Sequence, residues 1–338
     1  MSERGGRIRA ILLGALLAIG CAWPASALAD DCMSPAVGYR VVHLGGKVVA
    51  LWYPTNARAT LFAYGPMFSG QVAHDAPTTT VCGKRVPLVV FSHGDLGCGL
   101  QSVAFTEELA RHGYVVAAPD HADAFLCHIV PLTSPSRPPP QPSVFKPGTW
   151  TDASFADRRR DIEAVIDGLL ADAEFKPVID ERRIGAAGHS LGGYTVVGLA
   201  GGWASWTDSR IRAVLAFSPY VMPFQVHKTL GKVRVPLMYQ GGTLDVGITP
   251  FLTGDTGAYA AANPPAYFLE LKWAGHLAWA NCGKARTTAD CLATREENKL
   301  IDEYGIAFFD RYLKDMPEPV LEKANPDLSD YEFKLPNR

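Results

Sequence analysis

Gly188-His189-Ser190-Leu191-Gly192 decides how the rest of the chain is read. The pentapeptide follows a short apolar run, residues 184–187, and opens a stretch of helical character, residues 193–201. In that setting Gly-x-Ser-x-Gly describes a sharp strand-to-helix turn that lifts the Ser190 hydroxyl clear of a sheet. A side chain at position 188 or 192 would collide with neighbouring backbone, and glycine takes unusual dihedrals without steric penalty. The helix beyond Ser190 would aim free N–H groups and its positive dipole end at a developing oxyanion. Glycine and serine are also common in plain loops, so the pentapeptide alone is matched by an ordinary strand-to-helix connection.

On the N-terminal side, residues 38–44 and 47–53 are β-rich runs joined by Gly45-Gly46, a hairpin signature. A looser stretch runs to Arg85, and residues 86–92 then read as a strand buried on both faces. A helix over 101–112, with Ser102 as cap and Gly113 as stop, leads to a second buried strand over 114–118. Strand, helix, strand in that order requires a parallel sheet. Residues 122–152 are proline-rich, with Pro138-Pro139-Pro140 at the centre, and read as a long loop bordering the site. Residues 155–170 form an amphipathic helix whose inner face carries Ile162, Val165, Ile166, Leu169 and Leu170, and Arg158, Arg159 and Arg160 are taken as its solvated face. Strands over 211–217, 235–240 and 266–273 follow, then a helix over 298–314 and a polar surface tail over 316–338.

The chain has 338 residues, 48% of them hydrophobic, enough for one large α/β core. Arg4, Arg7 and Arg9 precede an apolar run over 10–20 and then Ala27-Leu28-Ala29, the layout of a signal peptide covering residues 1–29. The run is too short for a stable membrane span. Lipoprotein anchoring at Cys21 is the minor alternative. The expected protein is therefore exported, periplasmic or extracellular, with a single domain over 30–338. Losing residues 1–29 removes three arginines and Glu3 and moves the formal charge from −2 to −4, which leaves no footprint for nucleic acid. Six cysteines remain, and an even number in an exported chain suggests disulfides. Cys282 with Cys291, Cys32 with Cys82 and Cys98 with Cys127 is one pairing among those the count allows.

A serine hydroxyl needs a base to become a nucleophile, and the base needs an acid to orient it. Asp245 follows the strand over 235–240, and His276 follows the strand over 266–273. Ser190, Asp245 and His276 each fall in a loop after a strand of a parallel sheet, and such loops share one edge. His121, with Asp120 and Asp123, is the rival base and acid set, but it precedes the nucleophile. His93 and His189 read as structural. His112, His121 and His128 do not have the spacing of a metal site, so neither a metal nor another cofactor is expected. The N–H groups of Leu191 and Asp95 are the expected oxyanion donors. Trp150, Tyr220 and Trp279 are expected to form an apolar aromatic wall for the substrate.

Pro87-Leu-Val-Val-Phe-Ser-His-Gly, His112-Gly-Tyr-Val-Val-Ala-Ala-Pro-Asp-His and Gly188-His-Ser-Leu-Gly-Gly-Tyr together resemble the α/β-hydrolase superfamily. The likeness is to bacterial predicted dienelactone hydrolases, platelet-activating-factor acetylhydrolases and cutinase-like secreted lipases. It implies a mostly parallel sheet with helices on both faces and an antiparallel N-terminal edge hairpin. It also implies ester hydrolysis, with Ser190, Asp245 and His276 at the triad positions and Asp95 and Leu191 at the oxyanion positions. Dienelactone hydrolases use cysteine where this chain has Ser190, so a lactone substrate is not implied. The expected activity is cleavage of a small-molecule or polymeric carboxylic ester through an acyl-enzyme. An amidase or peptidase with the same triad, and a non-catalytic binding protein on the same scaffold, are the alternatives. The residues leave the oligomeric state open.

Overall fold

The computed structural model describes residues 35–64, 68–125, 141–281 and 299–336. Strands β1 (Ala36–Leu44) and β2 (Lys47–Thr55) pair antiparallel along their whole length. The turn between them puts Gly45 at φ 58° and Gly46 at φ 77°, the two positive values that a tight hairpin of this twist needs. The chain then adds β3 (Thr60–Ala63), β4 (Ser69–His74), β5 (Val86–Ser92), helix α1 (Val103–Arg111) and β6 (Val115–Pro119). Helix α2 (Ala156–Ala171) leads to β7 (Ile179–His189), α3 (Leu191–Val197), β8 (Ile211–Phe217), α4 (Met222–Val226) and β9 (Leu237–Gly242). Strand β10 (Ala266–Leu271), helix α5 (Lys299–Leu313) and β11 (Leu328–Lys334) complete the described order.

The eleven strands of the described residues lie in one sheet, ordered β11-β10-β9-β8-β7-β5-β6-β2-β1-β4-β3. From β6 to β10 every neighbouring pair is parallel. This is the α/β architecture read from the chain, with a core on each face. Ile162, Val165 and Leu169 of α2 pack with Tyr194 and Val197 of α3 on one side. Phe105 and Leu109 of α1 pack with Tyr304, Phe308 and Phe309 of α5 on the other. Burying a side chain of this size contributes about 1.5–3 kcal/mol, which is why these helices hold where their intrinsic propensity would not.

The sheet runs further than expected at both ends. β3 and β4 extend it beyond β1, so the first hairpin is not the edge; the edge is β3, in a stretch read as loop. That stretch was opaque because β4 is Ser-Gly-Gln-Val-Ala-His, without an apolar run, and Leu61 of β3 is exposed. The presumed surface tail contains β11, which pairs antiparallel with β10. It reads as polar because an edge strand with charges facing solvent needs only one buried face.

Ser34–Arg338 is one compact unit. Residues 1–29, and the centre of the proline-rich loop at 126–140, lie outside the described residues. So do Cys32, Cys127, Cys282 and Cys291, and with them one member or both of each suggested disulfide. Among the described residues no helix is long and apolar enough to cross a membrane.

From β5 the chain crosses to β6 on one side and then returns to β7 on the other. Loops leaving the carboxyl ends of β5 and β7 therefore diverge and leave a crevice, the usual ligand position in such a sheet. Asp95 and Ser190 sit on those two loops.

Candidate active site

Strand β7 ends at His189 and α3 begins at Leu191, so Ser190 alone makes the turn. Its φ of 55° and ψ of −115° are costly for a residue with a side chain, typically ~1–3 kcal/mol, and must be held by the surroundings. Three backbone bonds hold it. Ser190 N–H donates to the Phe217 carbonyl at 2.9 Å, and the Ser190 carbonyl accepts from Tyr220 N–H at 3.0 Å and Tyr194 N–H at 3.1 Å. The glycines are sterically required. A β-carbon on Gly188 would overlap the Gly192 carbonyl, and one on Gly192 would overlap the Ser92 carbonyl.

Ser190, Asp245 and His276 meet. Ser190 Oγ lies 2.9 Å from His276 Nε2, and His276 Nδ1 lies 3.1 Å from Asp245 Oδ2. With Nδ1 protonated, the ring donates to the carboxylate and accepts from the serine. Ser218, at the end of β8 and unremarked in the sequence, also donates to Asp245 Oδ2, and its Oγ is 2.8 Å from His276 Nδ1. The signal available for it was its place, one residue beyond a strand of the same sheet edge.

Leu191 and Asp95 line the same cavity as Ser190, about 550 Å³ in volume, together with Tyr220. Among the described residues neither the Leu191 nor the Asp95 amide donates to a protein acceptor. The cavity walls are mainly apolar, from Phe145, Phe155, Met222, Ile248 and Phe251. The Tyr220 hydroxyl donates to the Val144 carbonyl at 2.5 Å, which ties the described end of the proline-rich loop over the site.

Of the three aromatics expected at the substrate wall, only Tyr220 reaches the cavity. Trp150 is fully buried behind it, with its ring centre 4.9 Å from that of Tyr220 and its Nε1–H donating to the Ser143 carbonyl. Trp279 turns into the opposite core, where its Nε1–H finds the Gln240 Oε1 atom at 2.9 Å. An indole N–H buried with a partner this good has no reason to face a cavity.

Two further histidines near the sheet edge, His121 and His189, are engaged in other contacts. His121, the rival base, is buried with Nε2 at 2.8 Å from Ser92 Oγ and Nδ1 at 2.9 Å from Asp161 Oδ2. Burial, then the nearby Arg158 charge, push its pKa well below the usual histidine range, so it is a neutral strut. His189 donates from Nε2 to the His276 carbonyl at 2.7 Å and accepts at Nδ1 from Gln101 Nε2 at 2.6 Å. Burial and the adjacent His276 lower its pKa to about 3. Among the described residues no group of His, Cys, Asp or Glu is arranged to hold a metal ion.

The reading of Arg158 as part of a solvated face is corrected. Arg158 is fully buried and donates to the carbonyls of His93 at 2.6 Å and Gly94 at 3.0 Å and to Asp123 Oδ2 at 2.6 Å. Burial opposes ionisation of Asp123, but the guanidinium overrides it and holds that carboxyl below its usual range. Asp95 moves the other way, raised by burial and by repulsion from Asp123.

Residues 56–141 match the family model described as platelet-activating factor acetylhydrolase, isoform II. The fold is that of an α/β-hydrolase. The matched stretch runs from β3 through β6 and takes in the loop bearing Asp95, and it ends before Ser190. No curated protein matches the chain. On this fold the sequence order Ser190, Asp245, His276 becomes three side chains at the carboxyl edge of β7, β9 and β10.

Proposed function

We propose that this chain is an exported serine hydrolase that cleaves carboxylic esters through an acyl-enzyme. The observation that carries the reading is the hydrogen-bonded line from Ser190 Oγ through His276 to Asp245, opening on an apolar cavity. In the first half-reaction Ser190 Oγ attacks the ester carbonyl while its proton passes to His276 Nε2. Asp245 stabilises the imidazolium. The carbonyl oxygen becomes an oxyanion and takes the N–H groups of Leu191 and Asp95, each such donor typically worth ~3 kcal/mol in the transition state. Collapse expels the alkoxide, which leaves as the alcohol with the proton from His276. Water then repeats the sequence on the acyl-serine and releases the acid. The cavity walls favour an uncharged, apolar acyl or alcohol group.

Export is supported by the layout of residues 1–29, and disulfides by the even number of cysteines that remains once those residues are removed. The test is turnover of p-nitrophenyl butyrate together with labelling by a fluorophosphonate. Labelling at Ser190, lost with turnover in Ser190→Ala and His276→Ala, is the expected result. A folded wild-type protein inert to both reagents would refute the reading.

A further inference from the structure

The Asp95 amide is a useful oxyanion donor only if its peptide plane is fixed, because a loop free to rotate would average the N–H direction away. In a trans peptide the carbonyl of one residue and the N–H of the next point oppositely in one plane, so whatever holds the carbonyl also aims the amide. The Gly94 carbonyl accepts from Arg158 Nη2 at 3.0 Å, from His93 Nδ1 at 2.7 Å and from Gly97 N–H at 3.1 Å. The preceding peptide is held at both ends, its His93 carbonyl by Arg158 Nη1 at 2.6 Å and its Gly94 N–H by Gln101 Oε1 at 2.7 Å. Arg158 Nη2 also binds Asp123 Oδ2 at 2.6 Å, and the same oxygen accepts the Leu96 N–H at 3.2 Å. One guanidinium and its carboxylate thus grip the loop on both sides of Asp95. The loop is also close to the nucleophile: a β-carbon on Gly94 would stand 3.4 Å from Ser190 Cβ.

We infer that Arg158 is a positioning residue for the oxyanion hole, acting with Asp123 to aim the Asp95 N–H into the cavity. The inference rests on the ester-hydrolase reading above. Burying an arginine and an aspartate is costly, and an apolar pair of the same volume is often as stable, so stability alone does not account for this pair. A lysine cannot replace it, since one compact ammonium lacks the flat fork that reaches both carbonyls and the carboxylate together.

The experiment measures kcat and KM on p-nitrophenyl butyrate, and Ki for a trifluoromethyl ketone whose hemiketal anion uses the oxyanion donors. Variants Arg158→Lys and Asp123→Asn are compared with wild type, with active sites counted by fluorophosphonate titration. Asp123→Asn keeps the shape of the site and serves if Arg158→Lys does not fold. The expected result is a kcat lower by roughly ten- to a hundred-fold, less than the roughly hundred- to thousand-fold loss when a donor is removed outright, with KM within about threefold and Ki raised by the factor by which kcat falls. A kcat per titrated site within twofold of wild type in both variants, or a change confined to KM, would overturn the inference, whatever happens to the melting temperature. An inert wild type would instead bring down the hydrolase reading, and the inference with it.

Discussion

Lowering the pH from 7.5 to 5.0 should destabilise this protein by about 2 kcal/mol from His189 alone, with two further histidines acting in the same direction. His189 is buried with a pKa of about 3 against an ordinary 6.5. His93 and His121 are buried and lowered in the same direction, first by desolvation and then by Arg158. In the unfolded chain each takes up a proton as the pH falls through 6.5, while in the native state each stays neutral. Stability is therefore complete above pH 6.5 and declines from there down to about pH 3. Each such proton costs ~1.4 kcal/mol per pH unit, so at pH 5.0 His189 removes about 2 kcal/mol, and His93 and His121 add to the loss in the same direction. Even the His189 loss alone is a sizeable share of the stability of many domains. The nearby carboxyls act lower on the scale: Asp95 and Asp161, raised first by burial, partly offset the loss as the pH nears 4, and Asp123, held low by Arg158 against its burial, adds to it below that. The assay is urea unfolding followed by tryptophan fluorescence at half-unit pH steps and constant ionic strength. His189→Gln, which removes one of the three titrations, should lose about 2 kcal/mol less over the same interval. A flat profile between pH 7.5 and 5.0, or an equal loss in His189→Gln, would refute the reasoning.

Ser218→Ala removes the hydroxyl that donates to Asp245 and touches His276 Nδ1, and kcat should fall by roughly three- to thirtyfold with KM little changed, as expected for a group acting only on the orientation of the base; steady-state kinetics on one butyrate ester decides it. Met222→Trp narrows the apolar cavity, so kcat/KM for octanoate should drop more than tenfold while acetate stays within about threefold, because acetate does not need the volume; an equal loss on both esters would show that Met222 does not border the acyl path. Gly192→Ala drives a β-carbon into the Ser92 carbonyl, and the clash should cost more than ~3 kcal/mol or abolish folding, read as melting temperature and soluble yield.

The signals that were legible are local in the chain. A buried strand followed by a short polar loop is a pattern of ten or so residues, and β5, β7, β8, β9 and β10 each carry it. Once the strands are parallel, their carboxyl-end loops share an edge, so Ser190, Asp245 and His276 could be placed together without knowing a single distance. Ranges that failed did so for lack of a local pattern: β3, β4 and β11 lie at sheet edges and need only one apolar face. Trp279 was misread because three residues past His276 says nothing about which side of the sheet a turn delivers a side chain to. Arg158 did leave a trace. It stands four residues before Ile162 and seven before Val165, on the stripe that α2 buries, and a charge at that position is either an error in the helix phase or a buried partner for something.

That partner explains why the chain carries two Ser-His-Asp sets with opposite fates. Ser190, His276 and Asp245 open on a cavity, and His276 is partly exposed, which under the proposed function lets a proton move between the serine and an incoming ester. Ser92, His121 and Asp161 have comparable distances but lie sealed under the β5 loop, where Lys47 holds the other Asp161 oxygen at 3.1 Å. Geometry alone would make both nucleophilic; access separates them. The sealed set instead ties β5 and the loop after β6 to α2, the helix from which Arg158 grips the loop bearing Asp95. Preorganised polar groups of this kind must be fixed before charge develops if they are to stabilise it. Fixing them in a dry interior keeps the histidines neutral, and the acid sensitivity argued above is the thermodynamic counterpart of that neutrality. With Arg158 positioning the Asp95 loop, the two properties rest on one cluster, and a substitution that loosens the cluster should change both.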